Sequence, residues 1–72
     1  MPLQIQETPK QLIKRKKVES LTSLSRSSIY RLMAEDSFPR PVRLGSKSVS
    51  WVLADVEEWI NTHIAASKGV QP

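Results

Sequence analysis

A narrow apolar stripe runs through residues 25–35, whose sequence is SRSSIYRLMAE. Ile29, Leu32 and Met33 fall at positions i, i+3 and i+4, the spacing of one face of an amphipathic helix. Ser25 is well placed to cap the first turn, because its hydroxyl can accept a hydrogen bond from a backbone N–H there. The other side chains are mostly polar or small, so the pattern predicts a helix with a core side and a hydrogen-bonding side.

Two further stretches show helical periodicity. Residues 15–21 place Val18 and Leu21 three positions apart, and their basic side chains lie mostly on the other side of the predicted helix. Residues 53–67 give the clearest pattern, with acidic side chains in the first turn, where the helix dipole favours them, but no good capping residue. The apolar face of this last helix is predicted to consist of Val56, Trp59, Ile60, His63 and Ile64.

Alternation with a period of two lies between the second and third predicted helices. The second helix should end near Asp36, because each proline of FPRPV pushes the residue before it out of the helical region. Residues 42–51 then alternate around a turn at 45–48, which predicts a β-hairpin. We call this hairpin the wing, and we expect its apolar inner face to consist of Val42, Leu44, Val49 and Trp51.

The two ends of the chain carry weaker patterns. Residues 1–11 contain two prolines and no regular period, so we predict a flexible N-terminal arm. Residues 12–14 are compatible with a short strand, and residues 67–72 are predicted to be a disordered tail in which Gly69 stops the helix. The folded domain is therefore predicted to span residues 12–66.

Composition excludes several classes of site. A chain of 72 residues forms one small domain without room for a deep catalytic cleft, and it contains no cysteine to act as nucleophile or ligand. Its single histidine, His63, makes neither a catalytic triad nor a metal site, and we expect it to be partly buried. We expect Trp51 and Trp59 to belong to the core. The sequence predicts no enzyme activity, no cofactor and no bound metal.

Charge is distributed unevenly along the chain. Residues 1–47 carry ten basic and four acidic side chains, whereas residues 48–72 carry one basic and three acidic ones. A basic front of this kind favours a polyanionic partner such as nucleic acid. The net charge of +4 is also ordinary for a small domain that only needs to stay in solution, so charge alone leaves both interpretations open.

The order of the predicted elements is helix, tight turn, helix, hairpin, helix. Two short helices joined by a turn of three or four residues form a helix-turn-helix, whose second helix commonly lies in the DNA major groove. The wing would lie beside that helix, against phosphates or in the minor groove. We therefore predict a mostly α fold with a small β-hairpin, a winged helix-turn-helix whose partner is double-stranded DNA.

Three groups of side chains are candidates for DNA contact. An arginine can donate two parallel hydrogen bonds to guanine, so Arg31 is the candidate for base recognition, with phosphate contact or solubility as alternatives. The basic run at residues 14–17 and the lysine of the wing are candidates for phosphate contact, or else belong to solvated surfaces. The predicted DNA-binding residues are Ser25, Arg26, Ser27, Ser28, Tyr30 and Arg31 in the second helix, Arg43, Ser46 and Lys47 in the wing, and Lys16 and Lys17 in the first helix.

Three motifs together resemble one protein family. LSRSSIYRL, FPRPVRLG, and a tryptophan followed by DVEEWI are similar to segments of the AlpA family of phage and prophage regulators, over about residues 12–65. The resemblance implies a small MerR-like, excisionase-related winged helix that regulates transcription in a bacterium, often of integrase or prophage genes. It also implies that the recognition helix carries the second-helix residues named above and that the wing spans residues 43–50.

The sequence departs from the pattern of that family at two turns. Family members often have glycine where this chain has Ser23, and glycine just before FP, where Asp36 and Ser37 stand here. Aspartate tolerates a left-handed backbone better than most residues, and we expect both turns to be strained or slightly altered. Neither turn contains a predicted DNA contact, so the predicted interface is unaffected.

Three functions are open on the sequence alone. The leading one is a sequence-specific transcriptional regulator that binds promoter DNA. An excisionase that bends DNA for an integrase shares the fold and would bind tandem sites in an attachment region. An antirepressor that binds a protein partner would show no salt-dependent affinity for DNA.

Partners and location follow from the same features. We expect a monomer in solution, with two copies on one DNA site as an alternative, because no heptad seam for a dimer is present. Integrase and RNA polymerase are the candidate protein partners. The sequence shows neither a secretory signal nor a membrane-spanning stretch, so we expect a cytoplasmic, nucleoid-associated protein.

Overall fold

The computed structural model describes residues 10–69, which form three helices and a small three-stranded antiparallel sheet. The fold is mostly α, as the sequence predicts, and it is compatible with a small winged-helix domain. All three predicted helices are present. The elements in chain order are β1 Leu12–Ile13, α1 Arg15–Thr22, α2 Arg26–Ala34, β2 Val42–Arg43, β3 Val49–Val52 and α3 Leu53–Gly69.

The sheet is built around β3, which has β1 on one side and β2 on the other. The pairing of β2 with β3 confirms the predicted hairpin, and it places Val42 opposite Ser50. The sequence suggests a strand near residues 12–14 but not its partner. That partner is the second edge of β3, where Ile13 lies opposite Trp51. The start of the domain is thus tied to the wing through one shared strand.

The last helix begins directly from the sheet, because α3 follows β3 without an intervening loop. The N–H of Leu53 donates to the carbonyl of Gln11 at 2.8 Å. The chain beside β1 therefore satisfies the backbone donor of the first residue of α3. A capping side chain would serve the N–H of the second or third residue instead, so this contact ties the start of α3 to β1 but does not replace a cap.

The core receives side chains from all three helices and from the sheet. Val18, Ile29 and Val56 are fully buried, one on each helix, which confirms the core sides predicted for them. Trp51 on β3 is the largest fully buried side chain, as expected of a core residue. Leu21, predicted to share the core face of Val18, is 38% exposed because it lies in the last turn of α1. Partly buried residues packed against the core include Leu24, Leu32, Met33, Val49, Leu53, Trp59 and Ile60.

Both tryptophans also hold the proline-containing loop between α2 and β2 in place through hydrogen bonds. The indole N–H of Trp51 donates to the carbonyl of Pro39 at 3.0 Å, and that of Trp59 donates to the carbonyl of Ser37 at 2.7 Å. Phe38, between these two acceptors, is buried and meets Trp59 edge-on with ring centroids 4.9 Å apart. A loop without regular backbone pairing is therefore fixed by two side-chain donors and one buried ring.

The wing has only part of the apolar inner face that alternation predicts, because Val49 and Trp51 pack with the core whereas Val42 and Leu44 do not. Val42 lies opposite Ser50, and residues opposite each other on paired strands project from the same face of a sheet. Leu44, two positions after Val42, shares that face, whereas Val49 and Trp51 project from the other one. Val42 is 38% exposed and Leu44 is 57% exposed. The prediction was wrong for Val42 and Leu44 because the register of the hairpin, which alternation does not reveal, decides which residues share a face.

The second half of α3 extends beyond the core. Every side chain from residue 61 to residue 68 is exposed. Periodicity predicts a partly buried His63, but this side chain is exposed, with its ring stacked on Trp59 at a centroid distance of 3.9 Å. Ile64 is likewise 48% exposed. The prediction was wrong because a helix of 17 residues is about 25 Å long, more than the short elements beneath it can cover.

The C-terminal boundary of the folded part differs from the predicted one, because α3 extends to Gly69. Residues 67–69, which the sequence assigns to the tail, belong to α3. The remaining tail residues, 70–72, and residues 1–9 of the predicted arm lie outside the described residues.

Two turns contain non-glycine residues with a left-handed backbone. Ser23, which ends α1, has φ 64°, and its N–H donates to the carbonyl of Glu19 at 2.8 Å. Asp36 has φ 59° just after α2, where glycine is the commonest residue because it has no Cβ. The Asp36 carboxylate accepts from Arg40 at 2.9 Å. These are the positions at which the sequence departs from the glycines of the family it resembles.

Ser23→Gly is expected to stabilise the domain. A left-handed backbone costs a residue with a Cβ roughly 1–2 kcal/mol, and glycine at this position removes that cost. Part of the stability gained in this way is lost again, because glycine gives the unfolded chain more conformational freedom. We expect the free energy of unfolding to rise by about 0.5–1 kcal/mol in urea denaturation. The matched control is Ser20→Gly inside α1, which should lower stability by about 0.5–1 kcal/mol. Equal signs for the two variants would contradict the strain assigned to Ser23.

Candidate nucleic-acid interface

The orientation of α2 is fixed by a cap at its start and by core contacts along one side. The hydroxyl of Ser25 accepts from the Ser28 N–H at 3.1 Å, which confirms the predicted cap. Ile29 is fully buried, and Leu32 and Met33 pack against the core. The opposite side of α2 is consequently held toward solvent.

Four of the predicted contact residues are exposed on that opposite side: Arg26, Ser27, Tyr30 and Arg31. The Arg26 guanidinium lies 5.8 Å from the centroid of the Tyr30 ring, within cation–π range. Arg31 donates to Glu35 at 3.5 Å, and both side chains are more than half exposed. An exposed pair of this kind contributes at most about 1 kcal/mol, so Arg31 can exchange Glu35 for an external acceptor at little cost.

The serines of α2 are not equally free to bind a ligand. Ser25 donates its hydroxyl proton to the Ser28 hydroxyl at 3.1 Å while it accepts from the Ser28 N–H. The Ser25 hydroxyl is thus engaged twice within its own helix. The Ser28 hydroxyl is engaged only with that of Ser25, and Ser27 is exposed. Ser27 and Ser28 are therefore better donors to a phosphate oxygen than Ser25 is.

A shallow concavity of about 290 Å³ lies where α1, α2 and the wing meet. Tyr30 reaches it from α2, Lys47 from the turn of the wing, and the remaining cations from the start of α1. We call it the basic concavity. It is lined by Lys14, Arg15, Lys16, Tyr30, Lys47, Ser48 and Val49.

The strand order explains why these residues meet. β1 and β2 both run antiparallel to β3, on its two edges. The residues that follow β1 therefore come to the same end of the sheet as the residues that precede β3. Because the first group is basic and the second contains Lys47, the fold concentrates positive charge there.

The cations of the basic concavity are mostly without internal partners. Arg15 pairs with Glu19 on its own helix at 2.9 Å. Within residues 10–69, no carboxylate forms an ion pair with Lys14, Lys16 or Lys47. Like charges that converge without neutralisation repel one another and attract an external anion.

Three further predicted residues, Lys17, Arg43 and Ser46, are exposed but do not line the basic concavity. Lys17 is exposed on α1 but does not line the concavity. Arg43 is exposed on β2, and Ser46 is exposed in the turn of the wing. Lys14 belongs to the basic run that the sequence names as a candidate for phosphate contact, although the final set of predicted residues keeps only Lys16 and Lys17 of that run, and Lys14 does line the concavity. The pairing of β1 with β3, which a strand of two residues cannot reveal in a sequence, brings Lys14 to the wing.

Acidic side chains line a separate groove of about 590 Å³ between residues 36–39 and α3. Asp36, Asp55 and Glu58 contribute carboxylates to it, and no lysine or arginine lines it. The uneven charge of the sequence is thus also a separation of charge in the fold. A polyanion is attracted to the basic concavity and repelled from this part of α3.

Other kinds of site receive no support within residues 10–69. No three His, Asp or Glu side chains in this part of the chain come together so that they could hold a metal ion. No helix there combines the length and the apolar content that a membrane crossing requires.

Comparison with known proteins identifies the family. Residues 11–64 match the family described as prophage CP4-57 regulatory protein, AlpA. The chain belongs to the AlpA family. The match includes all of α2, the wing and the basic concavity, and it confirms the resemblance carried by the three motifs. Membership in the AlpA family implies a phage-associated regulatory role.

This AlpA-family chain is also similar to a bacteriophage protein. An uncharacterized protein of Enterobacteria phage P4, ORF88, is 38% identical to this chain over 61 residues. The aligned region covers 85% of this chain and 69% of the phage protein. The similarity therefore extends beyond α2 and the wing to most of the domain.

Proposed function

We propose that this AlpA-family protein is a sequence-specific DNA-binding regulator of phage or prophage genes. The observation that carries the proposal is the basic concavity, because it joins unpaired cations of α1 and the wing to the exposed side of α2. A duplex laid against α2 would bring its phosphates to these cations. The protein acts by binding alone, as a cytoplasmic, nucleoid-associated protein without catalytic activity or a cofactor.

The dimensions of α2 suit the major groove. An α-helix with its side chains is about 10–12 Å wide, and the major groove of B-DNA is about 12 Å wide. Arg31 is exposed and only weakly held, so it is the residue we assign to a guanine edge. Tyr30 lies between the exposed side of α2 and the basic concavity, where it can donate to a phosphate.

Phosphate contacts fix the position of the protein on the duplex and carry little sequence information. We assign them to Lys14, Lys16 and Lys47, which converge on the basic concavity, and to Ser27 and Ser28 on α2. Arg43, which is exposed on β2, is a further cation of the wing that we assign to phosphate. Integrase and RNA polymerase remain the candidate protein partners of the DNA-bound form, and one or two copies can occupy a site.

The proposal is tested by titrating isotope-labelled protein with a duplex of random sequence and following amide NMR signals at two salt concentrations. We expect salt-sensitive shifts in residues 14–16, 25–31 and 43–50, because charge neutralisation dominates non-specific binding. Selection from a random pool then identifies a preferred sequence. The absence of shifts at low salt in a folded protein would refute DNA binding and favour a protein partner. Enriched tandem sites in an attachment region would favour an excisionase.

Lys47→Ala is expected to weaken binding to all DNA sequences alike. Each neutralised phosphate contributes about 0.9 to the slope of log affinity against log salt, so the slope should fall by about one. Fluorescence anisotropy at four or more salt concentrations measures it. The matched control is Lys68→Ala, which removes the same charge from the end of α3 and should leave the slope unchanged. A changed sequence preference with an unchanged slope would contradict a phosphate contact.

A further inference from the structure

The apolar face of α3 continues beyond the part of the helix that the core covers. Trp59 and Ile60 are partly buried against the core, and the same face continues four residues later with His63 and Ile64. Both of these are exposed, Ile64 by 48%, and so is every other side chain from residue 61 to residue 68. A single exposed isoleucine needs no explanation. An apolar row that the described residues begin to bury and then leave uncovered is typical of a surface that a partner completes.

Two concavities with acidic side chains lie beside this apolar row. The groove of about 590 Å³ between residues 36–39 and α3 is lined by Trp59 and by His63, whose ring is stacked on it at 3.9 Å. A second concavity of about 430 Å³ lies along α3 and shares Glu58 with the groove. We call the two concavities, together with Ile64, the α3 surface. The carboxylates that α3 contributes to it are those of Asp55, Glu57 and Glu58.

No basic side chain within residues 10–69 neutralises these three carboxylates. Asp55, Glu57 and Glu58 are exposed and form no ion pair in this part of the chain, and no lysine or arginine lines either concavity. The helix dipole favours Asp55 in the first turn of α3, but its effect fades after that turn, where Glu57 and Glu58 lie. Three carboxylates within four residues repel one another and attract an external cation.

The charge of the α3 surface decides which kind of molecule can cover it. DNA and anionic membranes are polyanions, and the carboxylates repel them. A second copy in two-fold contact would set the same surface against itself, so the carboxylates of both copies would meet. A protein segment that combines lysine or arginine with an apolar side chain matches both parts of the surface, because it can pair with Glu58 and cover Ile64.

We propose that the α3 surface binds a basic segment of a partner protein, with the cations of the segment at Asp55 and Glu58 and an apolar side chain against His63 and Ile64. The α3 surface shares no residue with the basic concavity. A protein bound to DNA through α2 and the wing therefore keeps the α3 surface accessible, and the domain holds DNA and a basic protein at the same time. This inference goes beyond the proposed function, because the α3 surface binds its partner whether or not DNA is present.

The test selects for the chemistry of the partner without assuming its sequence. A display library of random peptides of about 12 residues is first depleted on a Glu58→Gln, Ile64→Ala double variant, which removes peptides that bind elsewhere, and is then selected on the wild-type protein. Both substitutions are at exposed positions, so the double variant should keep the circular dichroism spectrum of the wild type. We expect the enriched peptides to carry a net positive charge and a large apolar residue. No enrichment, or enrichment of acidic or uncharged peptides, would overturn the proposal.

Amide NMR then locates the most enriched peptide on isotope-labelled protein. We expect shifts in residues 36–39 and 55–64, and an affinity that falls with added salt, because salt screens exposed charges. Asp55→Asn, which the depletion step does not use, should weaken peptide binding roughly threefold. The matched control is Glu35→Gln, which removes an exposed carboxylate just after α2 and should leave peptide affinity unchanged. Shifts confined to other residues, or equal effects of the two variants, would contradict binding at the α3 surface.

Two reciprocal measurements separate this inference from the proposed function. Lys47 lines the basic concavity and Ile64 lies at the exposed end of α3, so Lys47→Ala should leave peptide affinity unchanged and Ile64→Ala should leave DNA affinity unchanged. Loss of DNA binding with intact peptide selection would refute the proposed function alone. Shifts of residues 59–64 that depend on the concentration of the peptide-free protein would place a second copy on the α3 surface and overturn this inference.

Discussion

Trp51→Ala is expected to remove most of the stability of the domain. Trp51 has no exposed surface, lies on the strand that pairs with both others, and donates its indole N–H to Pro39 at 3.0 Å. Truncating a buried tryptophan costs about 3–5 kcal/mol. A domain of this size has a total free energy of unfolding of roughly 4–11 kcal/mol. We therefore expect a partly or fully unfolded protein at 37 °C, measured by far-UV circular dichroism in a urea titration.

Two further variants show how much of the stability lost in Trp51→Ala comes from the hydrogen bond and how much from the buried ring. Trp51→Phe keeps most of the ring but leaves the Pro39 carbonyl without its donor, which should cost about 1–3 kcal/mol. Trp59→Phe removes the corresponding donor to Ser37 near the surface, where water can replace it, and should cost less. If Trp51→Ala lost no more stability than Trp59→Phe, the assignment of Trp51 as the centre of the core would be wrong.

The helices were predictable because each has one face whose apolar side chains are buried, and these recur at helical spacing in the sequence. Apolar spacing located all three and identified Val18, Ile29 and Val56 on their buried sides. The same spacing continues through His63 and Ile64, but both are exposed. Periodicity reports which residues share a face of a helix. It does not report how far the neighbouring elements reach along that face.

The sheet was less predictable because pairing is a property of two segments rather than one. The hairpin follows from its turn, but the register that turns Val42 and Leu44 away from the core depends on the details of that turn. The pairing of β1 with β3 has no signal in two residues. That pairing brings Lys14 to Lys47, so the same uncertainty limits prediction of the basic concavity.

The exposed side of α2 was predictable as a surface but not in its hydrogen bonds. Its residues follow from the position of the core stripe, and the structure exposes Arg26, Ser27, Tyr30 and Arg31 as expected. Which donors are already occupied depends on rotamers. Ser25 serves as cap and donor to its own helix, and Arg31 faces Glu35. These contacts rank the candidates in a way that a helical wheel cannot.

Arg31→Ala is the change on α2 with the largest expected effect on DNA recognition. Loss of a bidentate contact to guanine should weaken binding to the preferred sequence by about 1–3 kcal/mol and relax the preference at one position. Stability should barely change, because the pair that Arg31 forms with Glu35 at 3.5 Å is exposed. Affinities for the enriched sequence and for each single-base variant, measured by anisotropy, give both quantities.

Two matched variants separate base recognition from charge at Arg31. Arg40→Ala removes an exposed arginine with the same kind of carboxylate partner, Asp36, from the loop after α2. It should reduce affinity slightly for all sequences and leave the preference unchanged. Glu35→Gln frees Arg31 and removes a negative charge near the phosphates, so it should strengthen binding. If Arg31→Ala and Arg40→Ala weakened all sequences equally, Arg31 would contact only phosphate, and another residue on α2 would read the bases.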